Sequence, residues 1–269
     1  MFNLVIILLS TINSEPIDSN NYKIAKYIIE NIKSLEECTL TDLAKKCYVS
    51  NSSISRFCRD IGLKDFNDLK NQVIKFSMQD KFVSEKFNFK EFNTQSLSQS
   101  YILSIIDNLK HMTVSSSLDN EITSLVNDIS TYKNVAAFGY MQSENVALNL
   151  QYDLQTSRKA IFTCIKFIDQ VDYIEQADEN TLIIIFSESG SYFDRVFQRK
   201  KPFKNLNKKP KICMITSNYT IEQPYIDMYI RYHSRNDYAS HPYPLMIIAD
   251  LICIQYAKLI NLDSSTQQE

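Results

Sequence analysis

Thr39-Leu-Thr-Asp-Leu-Ala-Lys-Lys-Cys-Tyr-Val-Ser50 runs straight into Asn51-Ser-Ser-Ile-Ser-Arg-Phe-Cys-Arg-Asp-Ile-Gly62. In the second half Ile54, Phe57, Cys58 and Ile61 recur at i, i+3, i+4 and i+7, the spacing of one buried helical stripe. Ser52, Ser55, Arg56 and Arg59 repeat at the same spacing on the other side. Ser50 is placed to cap that helix, and Thr39 with Asp42 marks the start of the helix before it. Leu40, Leu43, Ala44 and Cys47 give the earlier helix its own apolar side. Two short capped helices joined by a tight turn, the second polar and cationic outside, form a helix-turn-helix pattern.

Paired amphipathic helices also serve as plain core elements of all-α domains, so the outer face has to decide between the readings. From Lys45 through Arg59 there are four basic residues and no acidic one. Such a window offers positive charge and small hydroxyls to a phosphate backbone, the source of most sequence-independent affinity for DNA. The candidate DNA-binding set is therefore Lys45, Lys46, Ser50, Asn51, Ser52, Ser55, Arg56 and Arg59. Of these, Ser52, Ser55, Arg56 and Arg59 would face the major groove, while Lys45 and Lys46 would meet phosphates.

Composition frames this local signal. With 269 residues and 44% hydrophobic content the chain can bury at least one good core, and a change of pattern near residue 80 argues two domains. The first 80 residues hold ten Lys/Arg and ten Asp/Glu, leaving 19 and 21 beyond, so any nucleic-acid contact comes from a patch and not from bulk charge. The six cysteines show no CxxC spacing and the three histidines form no sequence-local cluster, which predicts reduced cytosolic thiols, no metal site and no cofactor. Met1 to Leu9 is apolar but lacks a basic leader and a small-residue cleavage site. It is also too short to span a bilayer, and reads as the first helix of a cytoplasmic protein with no membrane partner. Only three glycines occur, Gly62, Gly139 and Gly190, against about nineteen for average usage, so each is expected to meet a backbone need.

Along the chain, helical patterns run over Phe2 to Ile12 and Asn20 to Ile32, through the two helices above, and over Asp65 to Phe76. That gives a helical domain over 1–77. Residues 78–97 mix Lys, Glu, Asn and Ser with four Phe and no clean period, which reads as a linker. From 98 to 269 helices at Ser98 to His111 and Leu118 to Ile129 lead into an alternating grammar. Strands are predicted at Asn134 to Gly139, Ala160 to Ile165, Thr181 to Phe186, Lys211 to Ile215 and Ile226 to Tyr232. Helices are predicted at Ser143 to Thr156, Asp169 to Ala177, Ser191 to Leu206 (interrupted near Pro202) and Pro244 to Ile260, before a disordered polar tail from Asp263. Strands alternating with helices predict an α/β doubly wound parallel sheet, with Thr181 to Phe186, apolar on both faces, at its centre.

In such sheets ligands bind beyond the carboxyl ends of the strands, where the next helix offers free amides to an anion. Gly139-Tyr-Met-Gln-Ser143 follows the first strand and Ser187-Glu-Ser-Gly-Ser191 follows the third. The candidate ligand-binding residues are Gly139, Ser143, Ser187, Glu188, Ser189, Gly190 and Ser191. Ordinary strand-to-helix turns with Ser143 and Ser191 as helix caps would carry the same residues. Glu144, Glu175, Glu188 and His241 are scattered, with no spacing that would join them as the base an isomerase needs, so no catalytic residue is assigned.

Leu43-Ala44, Val49-Ser50, Ile54-Ser-Arg-Phe57, Ile61-Gly-Leu63 and Phe66-Asn-Asp-Leu-Lys70 resemble the N-terminal helix-turn-helix of the RpiR family of bacterial transcriptional regulators. The two glycine and serine loops, with Val146-Ala147, Leu150 and Tyr152-Asp-Leu154 between them, resemble the SIS (sugar isomerase) domain that follows it in that family. The resemblance implies a DNA-binding regulator of carbohydrate metabolism that is a homodimer or a higher homo-oligomer. Its partners would be a double-stranded operator and a phosphosugar or related effector bound in the C-terminal domain. A phosphosugar isomerase or lyase, and a regulator whose C-terminal domain only dimerises, are the alternatives. Three positions depart from the family pattern: Tyr48 and Met141 stand where glycine is usual, and Tyr192 where Thr or Ser is common. Glu188 adds an anion beside the phosphate site that the resemblance implies.

Overall fold

Thr39 and Asp42 lock the first turn of the helix-turn-helix reciprocally. Asp42 N donates to Thr39 Oγ1 at 3.1 Å, and Thr39 N donates back to Asp42 Oδ2 at 3.2 Å, so two amides with no helical partner are satisfied. The computed structural model describes residues 4–83, 96–114, 117–197, 202, 203, 205–235 and 242–266. The chain divides into two compact units: Met1–Phe87 with Ile165–Asp172, and Asn88–Cys164 with Tyr173–Glu269.

In the N-terminal unit, helices α1 (Leu4–Ser14), α2 (Asn20–Glu30), α3 (Leu40–Lys46), α4 (Asn51–Asp60) and α5 (Phe66–Val83) surround one small core. Ile54, Phe57 and Cys58 have no solvent exposure and Ile61 has 4%, so the stripe read from the sequence is the buried one. Burying a side chain of this size contributes about 1.5–3 kcal/mol, which makes the stripe the main determinant of how α4 is rotated. α5 continues past the expected boundary at residue 77 to Val83, and residues 84–95 of the expected linker lie outside the described residues.

Three helices close in one and the same way. After α4, Leu63 N donates to Cys58 O and Gly62 N to Arg59 O, with Gly62 at φ +83°. After α3, Val49 N donates to Ala44 O and Tyr48 N to Lys45 O, with Tyr48 at φ +56°. The third case is Arg158, at φ +60°, which ends helix α8 (Gln142–Thr156) with the equivalent pair of bonds. This is the Schellman arrangement, whose left-handed residue is usually glycine. The glycine-type turn is thus kept at Tyr48, and the side chain bears the strain. Its ring is 94% exposed, so no packing inside the chain offsets it.

The C-terminal unit is built on four parallel strands, β1 (Asn134–Gly139), β2 (Thr181–Phe186), β3 (Lys211–Thr216) and β4 (Met228–Arg231), hydrogen-bonded in that order. The strand expected at Ala160 to Ile165 is reduced to one bridge, Phe162 to Ala136. In it Phe162 N donates to Val135 O and Ala137 N to Phe162 O. That bridge lies on the side of β1 away from β2. The chain therefore leaves β1 first toward one edge and later returns to the other side, so the order in space reverses between β1 and β2, as a doubly wound sheet requires.

Alternate strand residues (Val135, Ala137, Leu182, Ile184, Cys213, Ile215) pack with helices α7 (Leu118–Thr131), α8 and α11 (Tyr243–Thr266). Residues of the opposite parity, Ala136, Phe138, Ile183, Ile185, Ile212 and Met214, are buried as well. On that side Phe138 meets Phe162 and Tyr173 edge-on, the latter on helix α9 (Phe167–Gln176). Helix α6 (Leu97–Lys110) precedes α7. Two further expectations are corrected. Helix α10 covers only Tyr192–Val196, ending well before Pro202, and α11 runs on to Thr266 through residues expected to be a disordered tail.

Replacing Tyr48 with glycine is expected to raise stability by about 0.5–1 kcal/mol, because the left-handed penalty exceeds the entropy glycine adds to the unfolded chain. Thermal melts of the two proteins measure it, and a lower melting temperature for the glycine variant would show that the Tyr48 side chain holds the fold.

Candidate nucleic-acid interface and effector crevice

Because α4 turns its apolar stripe inward, its remaining positions point out. Lys45, Lys46, Ser50, Asn51, Ser52, Arg56 and Arg59 are exposed, and Ser55 is half-buried. The geometry therefore gathers all eight candidate residues on α3, the turn and α4. Ser50 is the N-cap, its Oγ accepting from Ser53 N at 3.1 Å and lying 2.8 Å from Ser52 Oγ. Asn51 donates from Nδ2 to Thr41 Oγ1 at 3.3 Å, fixing the start of α4 against α3. Ser55 Oγ donates to Asn51 O at 3.2 Å, which leaves its lone pairs facing outward. Among the described residues, neither Arg56 nor Arg59 makes an ion pair. Lys46 is different: Tyr27 on α2 holds its ammonium above the usual range. Burial pushes the Cys47 and Cys58 thiols beneath this surface up to about 11 and 12, which keeps them protonated and unreactive.

Parallel register sets Gly139 opposite Phe186, so the loops after β1 and β2 leave the sheet side by side at the switch point. Ser143 is 5% exposed and Ser187 8%, while Ser189 is exposed and Ser191 half-buried. Neither Ser143 nor Ser191 supplies a side-chain cap. α8 starts at Gln142 after Met141, and Ser191 precedes α10 without such a bond. Met141 sits at φ +56°, ψ −117°, with Ser143 N bonded to Tyr140 O across the turn. That conformation favours glycine strongly, yet a methionine adopts it here. Gly139 cannot vary in this way: a Cβ there would lie 2.6 Å from the Ser143 backbone.

The second loop is tied down at many points. Glu188 O accepts from Thr216 Oγ1 and Ser217 Oγ at 2.9 Å and from Ser217 N at 3.0 Å. Ser189 O accepts from Asn218 Nδ2 at 3.1 Å, and the Ser189 and Ser191 hydroxyls are 2.7 Å apart. The Glu188 carboxylate accepts from Ser234 Oγ at 2.7 Å, beyond β4, which turns the charge away from β1. Tyr192 is 1% exposed, and its ring stands 5.0 Å from that of Tyr140, joining the two loops through an aromatic pair. Glu144, in the first turn of α8, has its carboxyl pushed up to about 7 by burial, and its field reaches Tyr192.

Tyr140, Glu144 and the anchors Thr216, Ser217, Asn218 and Ser234 were not foreseen as site residues. No local spacing could have found the anchors, because they come from β3 and from the segment after β4. His241 lies outside the described residues, and Glu175 is exposed on α9. Among the described residues no group of His, Cys, Asp and Glu could hold a metal ion.

Residues 8–80 match the model of the helix-turn-helix domain, rpiR family. A curated relative, an uncharacterised HTH-type transcriptional regulator of Caldanaerobacter subterraneus subsp. tengcongensis, is 51% identical over 51 residues, which is 19% of this chain and 18% of that protein. The match thus spans under a fifth of the relative's length. Among solved structures, the Vibrio vulnificus NanR protein complexed with ManNAc-6P is 16% identical with a TM-score of 0.48, over 98% of this chain and 97% of that one. A protein of Escherichia coli CFT073 is 13% identical with a TM-score of 0.49, over 61% and 89%. The sugar isomerase domain of an RpiR transcription factor from Sphaerobacter thermophilus is 14% identical with a TM-score of 0.43, over 64% and 99%. With the capping box, the buried stripe and the outward cations of α4 in place, the N-terminal part of this chain, residues 8–80, is a helix-turn-helix domain of the rpiR family.

Proposed function

We propose that the protein is a DNA-binding transcriptional regulator, cytoplasmic and without catalytic activity, that reads an operator with α4. The observation that carries this is the face of α3 and α4 from Lys45 to Arg59. It exposes four cations and several hydroxyls with no acidic residue among them, on a helix whose other side is fully buried. Arg56 and Arg59 project toward base edges in the major groove, and Lys45 and Lys46 neutralise phosphates. A homodimer would read pseudo-palindromic half-sites about 34–36 Å apart, or a multiple of it.

The crevice at the β1/β2 switch point is the place for an effector, with Gly139, Ser143, Ser187, Ser189, Gly190 and Ser191 as its contacts. A phosphosugar or related metabolite fits this row of hydroxyls. Glu188 stays in this candidate set, with one carboxylate oxygen accepting from Ser234 Oγ. For the effector to switch DNA binding it must bind two arrangements of the dimer with different affinity.

Arg56→Ala is expected to weaken binding to the DNA upstream of the protein's own gene by about 1–3 kcal/mol and to leave the melting temperature unchanged. Loss of Lys45 should instead reduce the salt dependence of binding by about one unit of slope. Gel-shift titrations at several salt concentrations separate the two effects, and undiminished operator binding by Arg56→Ala would refute the assignment of α4 as the reading helix.

Glu144 makes stability depend on pH. Its folded value of about 7 lies above the ordinary 4.5, so the folded chain keeps a proton that the unfolded chain releases. The contribution is fully present below about 4.5 and is lost as pH rises through about 7. Solvent screening of its exposed part limits the effect to about 1–2 kcal/mol. Denaturant melts of the wild type and Glu144→Gln should converge near pH 4 to 5 and diverge by about that amount at pH 8, in favour of Gln. Parallel curves across that range would contradict the burial of this carboxyl.

A further inference from the structure

After α4 the left-handed closing residue is Gly62, but the same turn between α3 and α4 is made by Tyr48, at φ +56° and 94% exposed. Tyr48 therefore bears a conformational cost and returns no packing to the chain. Strain of this kind gathers at binding sites, where a partner offsets it. Its surroundings point to the partner. Thr41, Lys45 and Tyr48 follow one another at i, i+4 and i+7, and all three are exposed. Asn51 Nδ2 donates to Thr41 Oγ1 at 3.3 Å, so this line of α3 borders the first turn of α4. Ser50, two residues after Tyr48, caps that turn. The root of the ring is fixed as well, because Tyr48 N donates to Lys45 O at 3.1 Å and Val49 N to Ala44 O at 2.9 Å. Asp42, the acid before it in sequence, is engaged in the capping box with Thr39.

We infer that Tyr48 is a DNA contact outside the set read from the sequence, its hydroxyl donating to a backbone phosphate at the edge of the groove that α4 enters. This rests on the operator reading proposed above. In a helix-turn-helix the second helix puts its first residues against base edges while the first helix crosses the sugar-phosphate backbone, so a side chain at their joint stands beside a strand. Tyrosine suits that place. It offers an uncharged donor to a phosphate oxygen from a planar ring with only two side-chain torsions to immobilise. Lys45, on the same line of α3, supplies the charge. The hydroxyl adds a bond that carries no sequence information and releases no counterion. An apolar protein partner would meet cations and hydroxyls on every side of the ring, which favours the phosphate backbone.

The test uses the full-length chain, with a duplex from upstream of its own gene and an unrelated duplex of equal length, each titrated at several salt concentrations. Tyr48→Phe keeps the ring and the turn and loses only the hydroxyl. It should bind both duplexes about tenfold more weakly, with the salt slope and the melting temperature unchanged. Tyr48→Gly should bind at least as weakly although it melts higher, and Arg56→Ala should lose affinity for the operator above all. A Tyr48→Phe protein that binds like the wild type while Arg56→Ala is weakened overturns the inference and leaves the operator reading standing. Undiminished binding by Arg56→Ala overturns the operator reading, and with it the place of Tyr48 at the groove edge. A change in sedimentation of Tyr48→Phe without DNA would assign the ring to a protein contact and overturn the inference too.

Discussion

Phe57 has no contact with solvent, and much of the N-terminal unit follows from that. A helix turns about 100° per residue, so holding Phe57 with Ile54, Cys58 and Ile61 in the core leaves Ser52, Arg56 and Arg59 no direction but outward. The rotation of α4 is therefore set by apolar burial and not by its polar residues. The capping bonds at Thr39 and Ser50 fix where the two helices begin, and the Asn51 to Thr41 bond fixes how they meet. The polar face can then change by substitution without altering its own placement.

The helix-turn-helix was legible because every determinant of it is local. Caps, stripes and a tight turn all lie within about two dozen residues, where helical periodicity is strongest. β2 was legible for a different reason, a short β-branched and aromatic run with no polar face after Thr181, which fits a central strand buried on both sides. What escaped prediction is what depends on distant partners. The segment around Phe162 has a strand-like composition, yet only one pair of bonds to β1 forms, because pairing at a sheet edge is set by the neighbour's path. α11 outran its predicted end because Asp263 and the serines after it are compatible with a last turn of helix.

The crevice was half legible. Register and strand order bring the two loops together, as alternation of strands and helices implied. The three departures from the pattern that the sequence resemblance implied then resolve in different ways. Tyr48 and Met141 keep the backbone that glycine would provide and carry the strain, whereas Tyr192 gives up a small hydroxyl and builds an aromatic contact with Tyr140. Glu188, the anion of the second loop, accepts a hydrogen bond from a serine forty-six residues away. No window of sequence contains both ends of that bond.

β2 carries one more implication. Every one of its residues is buried, and it is hydrogen-bonded on both sides. Its amides should be among the last in the molecule to exchange with solvent, since opening them exposes the core on both faces of the sheet. The floor of the crevice is thus the least compliant backbone of the C-terminal unit. An effector at the proposed site would have little leverage on the sheet, and its message would have to leave through what is hung from the strand ends: the turn at Met141 with α8 behind it, and the Ser187 to Ser191 loop with short α10.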